Sequence, residues 1–293
     1  MSVIGIIGLG LIGGSIGLIL RKKYKVIGTD LNDNNSSYAK KIGIVDEITS
    51  YQYLIKKSSI IILCTPVDNI IHILPDILNR IDVNKNTVVL DTGSTKYTIC
   101  NSVYNHPNRN RFVATHPIAG TEFSGAKSAD CTLFDKKNCI ICDYELSDHS
   151  AIVIVKKIFS TIMNMHITYM SSKEHDFYIS YTSHLPHVIS FSLSRMILNK
   201  FDKKNDIKII FKKMIGSSLI SNVRLANSNP NTWNPIFLSN KNNIINSINL
   251  YISCIKLFRN YLSRNKFSNL YEYINESNNI KKYINMNKKD KDE

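Results

Sequence analysis

The stretch that most constrains this chain runs from Val3 to Asp30 and reads VIGIIGLGLIGGSIGLILRKKYKVIGTD. Ile4, Ile6 and Ile7 form a short β-branched run of the length of a buried strand, and Gly8, Gly10 and Gly13 complete a GxGxxG at its carboxyl end. In such a turn the first glycine permits the tight bend, the second lets a pyrophosphate approach the backbone, and the third lets the next helix pack on the strand. Leu11 and Ile12 open that helix, whose unpaired N–H groups and dipole favour phosphate. Ile16, Leu18, Ile19 and Leu20 continue it, and a second strand at Val26 and Ile27 ends at Asp30. A carboxylate about 20 residues after the glycines accepts ribose hydroxyls and repels a 2′-phosphate. The stretch reads as a dinucleotide cradle for NAD, with NADP as the alternative.

At 293 residues and 43% hydrophobic content the chain can bury a large core, and its length suits two domains. The formal charge of +14 raises the question of a nucleic-acid partner. Lysine and asparagine are spread along the whole chain, however, with isoleucine where leucine would serve, which is the mark of nucleotide bias in the gene. We expect no nucleic-acid partner; the positive surface suits anionic small molecules instead. No apolar run approaches the roughly 20 residues that span a bilayer, so no membrane partner is expected. Met1 and Ser2 run straight into the first strand without a targeting segment, so the expected location is the cytoplasm or the stroma-like interior of an organelle. The six cysteines lack a framework spacing and read as free thiols. Cys139 and Cys142 form a CxxC around Ile140 and Ile141, better explained as a buried strand than as a metal site.

Strands and helices then alternate, which predicts an α/β fold: a doubly wound parallel Rossmann sheet followed by an all-helical domain. Strands are expected at Ser59 to Cys64, Thr87 to Leu90, Phe112 to Thr115, Asn138 to Cys142 and His166 to Tyr169. Pro75 should bend the helix that Thr65 and Pro66 open. The turns GLGLIG, CTP, DTGSTK and THPIAGTE follow strands and should converge on one crevice, placing Thr65, Pro66 and Gly93 beside the cofactor. From Ser171 onward the pattern is helical. One helix, capped by Ser171 or Ser172, should run past Met196 with a kink at Pro186. Others are expected near Ile207 to Leu225, Trp233 to Leu262 and Phe267 to Ile284. The expected division is 1–170 for the nucleotide domain, 171–285 for a helical substrate and dimerisation domain, and 286–293 for a charged tail. The stripe Ile244, Ile245, Ile248, Tyr251, Ile252, Ile255 and Phe258 reads as dimer or domain core.

His116 leads the candidates for chemistry, because it follows a strand at the cofactor end of the sheet, where an imidazole could take a proton from an alcohol as hydride leaves its carbon. Ser94, in the neighbouring turn, could hydrogen-bond the same hydroxyl or cap the helix beginning at Thr95. His184 and His187 lie three apart on one helix and could both look into the crevice, where a polar kink would help bind a carboxylate. Arg224 is a surface residue or a bidentate carboxylate partner.

In this order GLGLIG, CTP, DTGSTK, HPIAGTE, SHLPH and VRLANSNPNTW resemble the prephenate/arogenate dehydrogenase family of tyrosine biosynthesis, from the first strand to about Leu262. The resemblance implies NAD(P)-dependent oxidative decarboxylation of a cyclohexadienol, prephenate or arogenate, by a homodimer joined through the helical domain. It implies that His116 accepts the ring hydroxyl's proton and that Ser94 assists. It makes His187 the interdomain histidine at the substrate and Arg224 the grip on a carboxylate. Thr121 and Glu122 would lie at the pocket mouth, and Trp233 would be the tryptophan of the last motif. The chain departs from the pattern at Gly216 to Ser221, where Ile220 replaces a basic side chain. The expected form is short and monofunctional. Two rivals stand: a β-hydroxyacid dehydrogenase, which uses a lysine where this chain has SHLPH, and a non-enzymatic NAD-binding sensor.

Overall fold

The computed structural model describes residues 2–82, 86–121, 123–201 and 205–289. Its strands are β1 (Val3–Ile7), β2 (Lys25–Thr29), β3 (Glu47–Ile48), β4 (Ile60–Leu63), β5 (Val88–Asp91), β6 (Phe112–Pro117), β7 (Asn138–Cys142) and β8 (His166–Met170). They form one sheet in the order β3-β2-β1-β4-β5-β6-β7-β8. The order reverses between β1 and β4, which is the topological switch point where such sheets bind ligands. Side chains alternate across the sheet as a period of two requires. Ile60 and Ile62 join one core cluster with Ile4, Ile6, Val88 and Leu90. Ile61 and Leu63 join the other with Ile7 and Val89.

The expected parallel sheet holds through β6 and then changes direction. β7 runs antiparallel to β6, with His116 opposite Ile140 and Pro117 opposite Cys139, and β8 runs parallel to β7. The cause is the connection. Between β6 and β7 the described residues contain only a short 3-10 turn at Ala126–Ser128, which cannot serve as the crossover a parallel return needs. Between β7 and β8, α6 (His149–Lys156) and a π-helical turn (Lys157–Ile162) supply one. His116 and Pro117 therefore lie inside β6, not after it.

The helices on the sheet are α1 (Leu11–Leu20), α2 (Asp33–Lys41), α3 (Tyr51–Lys57), α4 (Val67–Arg80) and α5 (Tyr97–Ser102). α4 continues through Pro75 to Arg80. Past the sheet, the expected single helix is α7 (Ser172–Ile179), a π-helical turn (Ser180–His184) and α8 (Leu185–Phe201). Ser171 and Glu174 cap it reciprocally. The disturbance sits in the turn before Pro186, whose ring would crowd the Thr182 carbonyl of a regular helix. Later helices are shorter than expected: α9 (Asn205–Lys213), α10 (Ser217–Val223), α11 (Pro230–Ser239), α12 (Lys241–Ser263), α13 (Phe267–Ser277) and α14 (Ile280–Lys289). The expected helix from Trp233 to Leu262 breaks at Asn240, and α14 carries helix into the expected tail, of which 290–293 lie outside the described residues.

By compactness the chain divides into Met1–Lys241 and Asn242–Glu293. The change from alternating strands and helices to helices alone comes earlier, where β8 ends at Met170. In the second unit Tyr251, Ile252 and Ile255 are exposed apolar side chains of α12. No helix among the described residues is long and apolar enough to cross a membrane.

Candidate active site

The cradle is built from backbone constraints. Gly8 has φ +94°, and a Cβ there would lie 2.6 Å from the Cys64 carbonyl oxygen at the end of β4. A Cβ on Gly13 would lie 1.9 Å from the Gly8 carbonyl oxygen, so neither position admits a side chain. Gly10 faces open space, with nothing within 4 Å of an added Cβ, and no side chain caps the amino end of α1 behind it. Leu11, Ile12 and Gly13 form the first turn of α1. Asp30 follows β2; its Oδ2 accepts the Leu9 N–H at 2.6 Å and its Oδ1 the Asn32 N–H at 2.7 Å. Thr65 touches the same turn, and its Oγ1 is buried without a hydrogen-bond partner among the described residues. An open uncapped helix end and an orphaned hydroxyl fit a dinucleotide laid across the turn. Pro66 forms the amino boundary of α4, while the Gly93 N–H is already held by Asp91 Oδ2 at 2.8 Å. A cavity of about 340 Å³ opens between the amino ends of α4 and α11, lined by Pro66, Asn69, Pro230, Asn231 and Asn234.

His116 is buried in β6 and 8% exposed. Its Nδ1 lies 2.8 Å from Nε2 of His175, whose Nδ1 lies 2.8 Å from Oδ1 of Asp176. Both partners stand on α7 and are 2% exposed. Burial holds His116 well below the ordinary histidine value, and His175, the Lys96 ammonium and His184 push it the same way. The ring is therefore neutral at neutral pH and can accept a proton.

Lys96 is 0% exposed, and its Nζ donates to Asp91 Oδ2 and, at 2.7 Å, to the Thr115 carbonyl. Asp91 Oδ1 accepts the Thr115 N–H at 3.1 Å. This buried ion pair ties the end of β5 to the residue before His116.

The SHLPH segment gathers around Trp233. The His187 ring stacks on the indole at 3.4 Å and 26°, and the His184 ring meets it edge-on at 6.0 Å. His187 Nδ1 donates to the Ser183 carbonyl at 2.9 Å. Burial and then the Arg224 guanidinium lower its pKa, opposed by that bond, so Arg224 lies within electrostatic reach of His187. Asn240, at the break between α11 and α12, donates its Nδ2 to the Asp176 carbonyl at 2.7 Å and to His184 Nδ1 at 3.2 Å. That leaves the His184 proton on Nε2, which is buried without a partner among the described residues. Burial brings His184 down to about 4, so the ring is a neutral donor.

Ser94 is half-buried in the turn after β5 and does not cap a helix. The helix there begins at Tyr97, and Asp176 accepts its first N–H groups, from Lys96 at 2.7 Å and Tyr97 at 3.0 Å. Thr121 is exposed, and its Oγ1 accepts the Phe123 N–H at 3.2 Å. Glu122 lies outside the described residues. Cys139 and Cys142 are buried in β7, their thiols pushed up by burial. Among the described residues no group of three His, Cys, Asp or Glu could hold a metal ion.

Sequence reasoning passed over four site residues: Lys96, His175, Asp176 and Asn240. DTGSTK does begin and end with opposite charges, and His175-Asp176 is a polar pair ahead of SHLPH, but neither signal says what the side chains face.

A glycine cradle at a sheet's switch point, with a neutral histidine on β6 of the same sheet, defines the class of dinucleotide-dependent oxidoreductases. Family comparison narrows it. The prephenate dehydrogenase nucleotide-binding domain matches residues 16–168, and the prephenate dehydrogenase dimerization domain matches residues 171–276. The chain belongs to the prephenate dehydrogenase family. It is 29% identical to prephenate dehydrogenase of Bacillus subtilis, covering 91% of this chain and 72% of that protein. It is 27% identical to cyclohexadienyl dehydrogenase of Zymomonas mobilis, covering 94% and 93%. The structure of prephenate dehydrogenase from Aquifex aeolicus, in complex with hydroxyphenyl propionate and NAD+, superposes with a TM-score of 0.83 at 27% identity over 97% of this chain and 98% of that one.

Proposed function

We propose that this chain oxidises and decarboxylates prephenate to 4-hydroxyphenylpyruvate with NAD, and that arogenate, giving tyrosine, is the alternative substrate of the same machinery. The observation that carries this reading is His116: a buried neutral imidazole in β6, supported at Nδ1, with Nε2 left to meet a hydroxyl. NAD, when bound, supplies the hydride acceptor. Gly8, Gly10 and Gly13, with Leu11 and Ile12, would hold its pyrophosphate, Asp30 its ribose, and Thr65, Pro66 and Gly93 would border its nicotinamide. His116 takes the proton of the ring hydroxyl as the carbon beneath it gives up hydride, and Ser94 assists at that hydroxyl. The ring carboxylate then leaves as carbon dioxide; its bonding electrons complete the aromatic ring and pass to the oxygen of the oxidised carbon, which takes the proton back from His116, so orientation and one base suffice.

His187, His184 and Trp233 wall the substrate, and Arg224 beside His187 grips a carboxylate. Thr121 stands at the mouth. The Arg224→Ala variant is expected to raise the substrate KM roughly 10–100-fold with kcat little changed, the loss of one charge-assisted pair. An unchanged KM means the carboxylate is held elsewhere.

The functional division follows the change at Met170: 1–170 for the nucleotide and 171–285 for substrate and pairing. A second copy of the chain pairs through the helical domain, for which the exposed Tyr251, Ile252 and Ile255 supply apolar surface.

The test is initial-rate formation of NADH and NADPH with prephenate and arogenate offered separately. NADH formation with prephenate is expected. Turnover only with NADP would remove the role given to Asp30, and NAD binding without turnover on either substrate would favour a sensor.

A further inference from the structure

The geometry points to His175 and Asp176 as positioning residues that fix His116 in the one protonation pattern a general base needs; the inference rests on His116 being that base. The proton positions follow from the far end of the chain of bonds. Asp176 accepts two backbone N–H groups, Lys96 at Oδ1 and Tyr97 at Oδ2, and those donors hold its carboxylate in place. His175 must therefore donate from Nδ1 to Oδ1, which leaves its Nε2 as an acceptor when the ring is neutral. His116 must then donate from Nδ1, and a neutral ring has its lone pair on Nε2, the nitrogen that would meet the substrate hydroxyl. Each assignment forces the next.

The same chain stabilises the product of proton transfer. Once His116 is an imidazolium, its Nδ1–H points through His175 to the Asp176 carboxylate. The other groups facing His116 do not offer this. Lys96, on the turn after β5, is cationic and bound to Asp91; His184 comes from the π-helical turn; Cys139 lies on neighbouring β7. Two flanking contacts pin the relay: Asn240 binds the Asp176 carbonyl, and the His116 and His175 rings meet edge-on at 5.0 Å.

Asp176→Asn removes the charge that backs the imidazolium. The variant is expected to lose roughly 10²-fold in plateau kcat, with KM and NAD affinity little changed. Its acid limb in kcat/KM moves to lower pH by about one unit, because the protonated His116 has lost its counter-charge. A role limited to holding α5 lowers the plateau without moving that limb, so an unmoved limb overturns the inference.

Since Asp176 also caps α5, a second pair guards against misfolding. His175→Gln can accept from His116 and donate to Asp176, whereas His175→Leu can do neither. We expect the leucine variant to fall roughly 10²-fold in kcat and the glutamine variant to recover about tenfold of that. Equal activities in the two overturn the relay. Turnover that survives His116→Asn sinks the underlying reading instead, while an inactive His116→Asn beside a normal His175→Leu sinks the relay alone.

Discussion

Replacing His116 with asparagine is expected to lower kcat by roughly 10²–10⁴-fold while leaving the affinity for NAD unchanged. Asparagine approximates the imidazole in size and can still hydrogen-bond His175, but it cannot take a proton at neutral pH. The residues proposed to hold the cofactor lie in α1 and in the turns after β1, β2, β4 and β5, and among the described residues none of them hydrogen-bonds His116. Initial rates at saturating substrate and a fluorescence titration with NAD separate the two effects. Near-normal turnover would falsify the assignment of His116 as the base.

The same substitution has a pH signature in stability. His116 is held well below its ordinary 6.5 and His184 is brought to about 4, both chiefly by burial. As pH falls from 6.5, the unfolded chain binds protons at these positions while the folded chain does not, so stability falls with pH. For His184 that loss runs from about 6.5 to about 4. His187, also lowered by burial, adds in the same direction. His116→Asn removes one of these contributions, and its urea midpoint should drop less than the parent's between about pH 7 and about pH 5.

The largest loss of stability is expected from Lys96→Met. Lys96 and Asp91 are both 0% exposed at their side chains, and methionine matches the lysine stem in volume without its charge. Among the described residues the change leaves the Asp91 carboxylate with only the Gly93 and Thr115 N–H groups, an uncompensated buried anion. Breaking one side of such a pair costs about 3–5 kcal/mol. The double variant Lys96→Met/Asp91→Asn leaves no charge buried and should regain part of that. Urea denaturation of the single and double variants is the measurement; a loss under about 1 kcal/mol, or no recovery, means the pair does not hold β5 to β6.

Much of the cradle was legible because its requirements are local. A glycine with φ +94° between a strand and a helix is dictated by a few neighbouring residues, so GLGLIG announced itself. The place of Asp30 just past β2 was legible for the same reason, at a regular distance along one β-α-β unit. The antiparallel β7 was not, since its direction depends on a connection that lacks a crossover helix, and NCIIC is apolar in either direction. Ser94 as a helix cap failed because the cap came from a residue remote in sequence, Asp176.

By itself the sequence determined the cradle, the succession of strands and helices, and the nearness of His116 to the sheet's ligand end, though not that it lies within β6. These follow from periodicity and backbone sterics within a few dozen residues. Only the tertiary structure decided what supports His116. His175 and Asp176 reach it because α7 docks its polar face on the end of the sheet, and Asn240 reaches Asp176 because the helix breaks there. Buried polar side chains must find partners wherever the packed chain brings them, and no spacing along the sequence encodes which ones those will be.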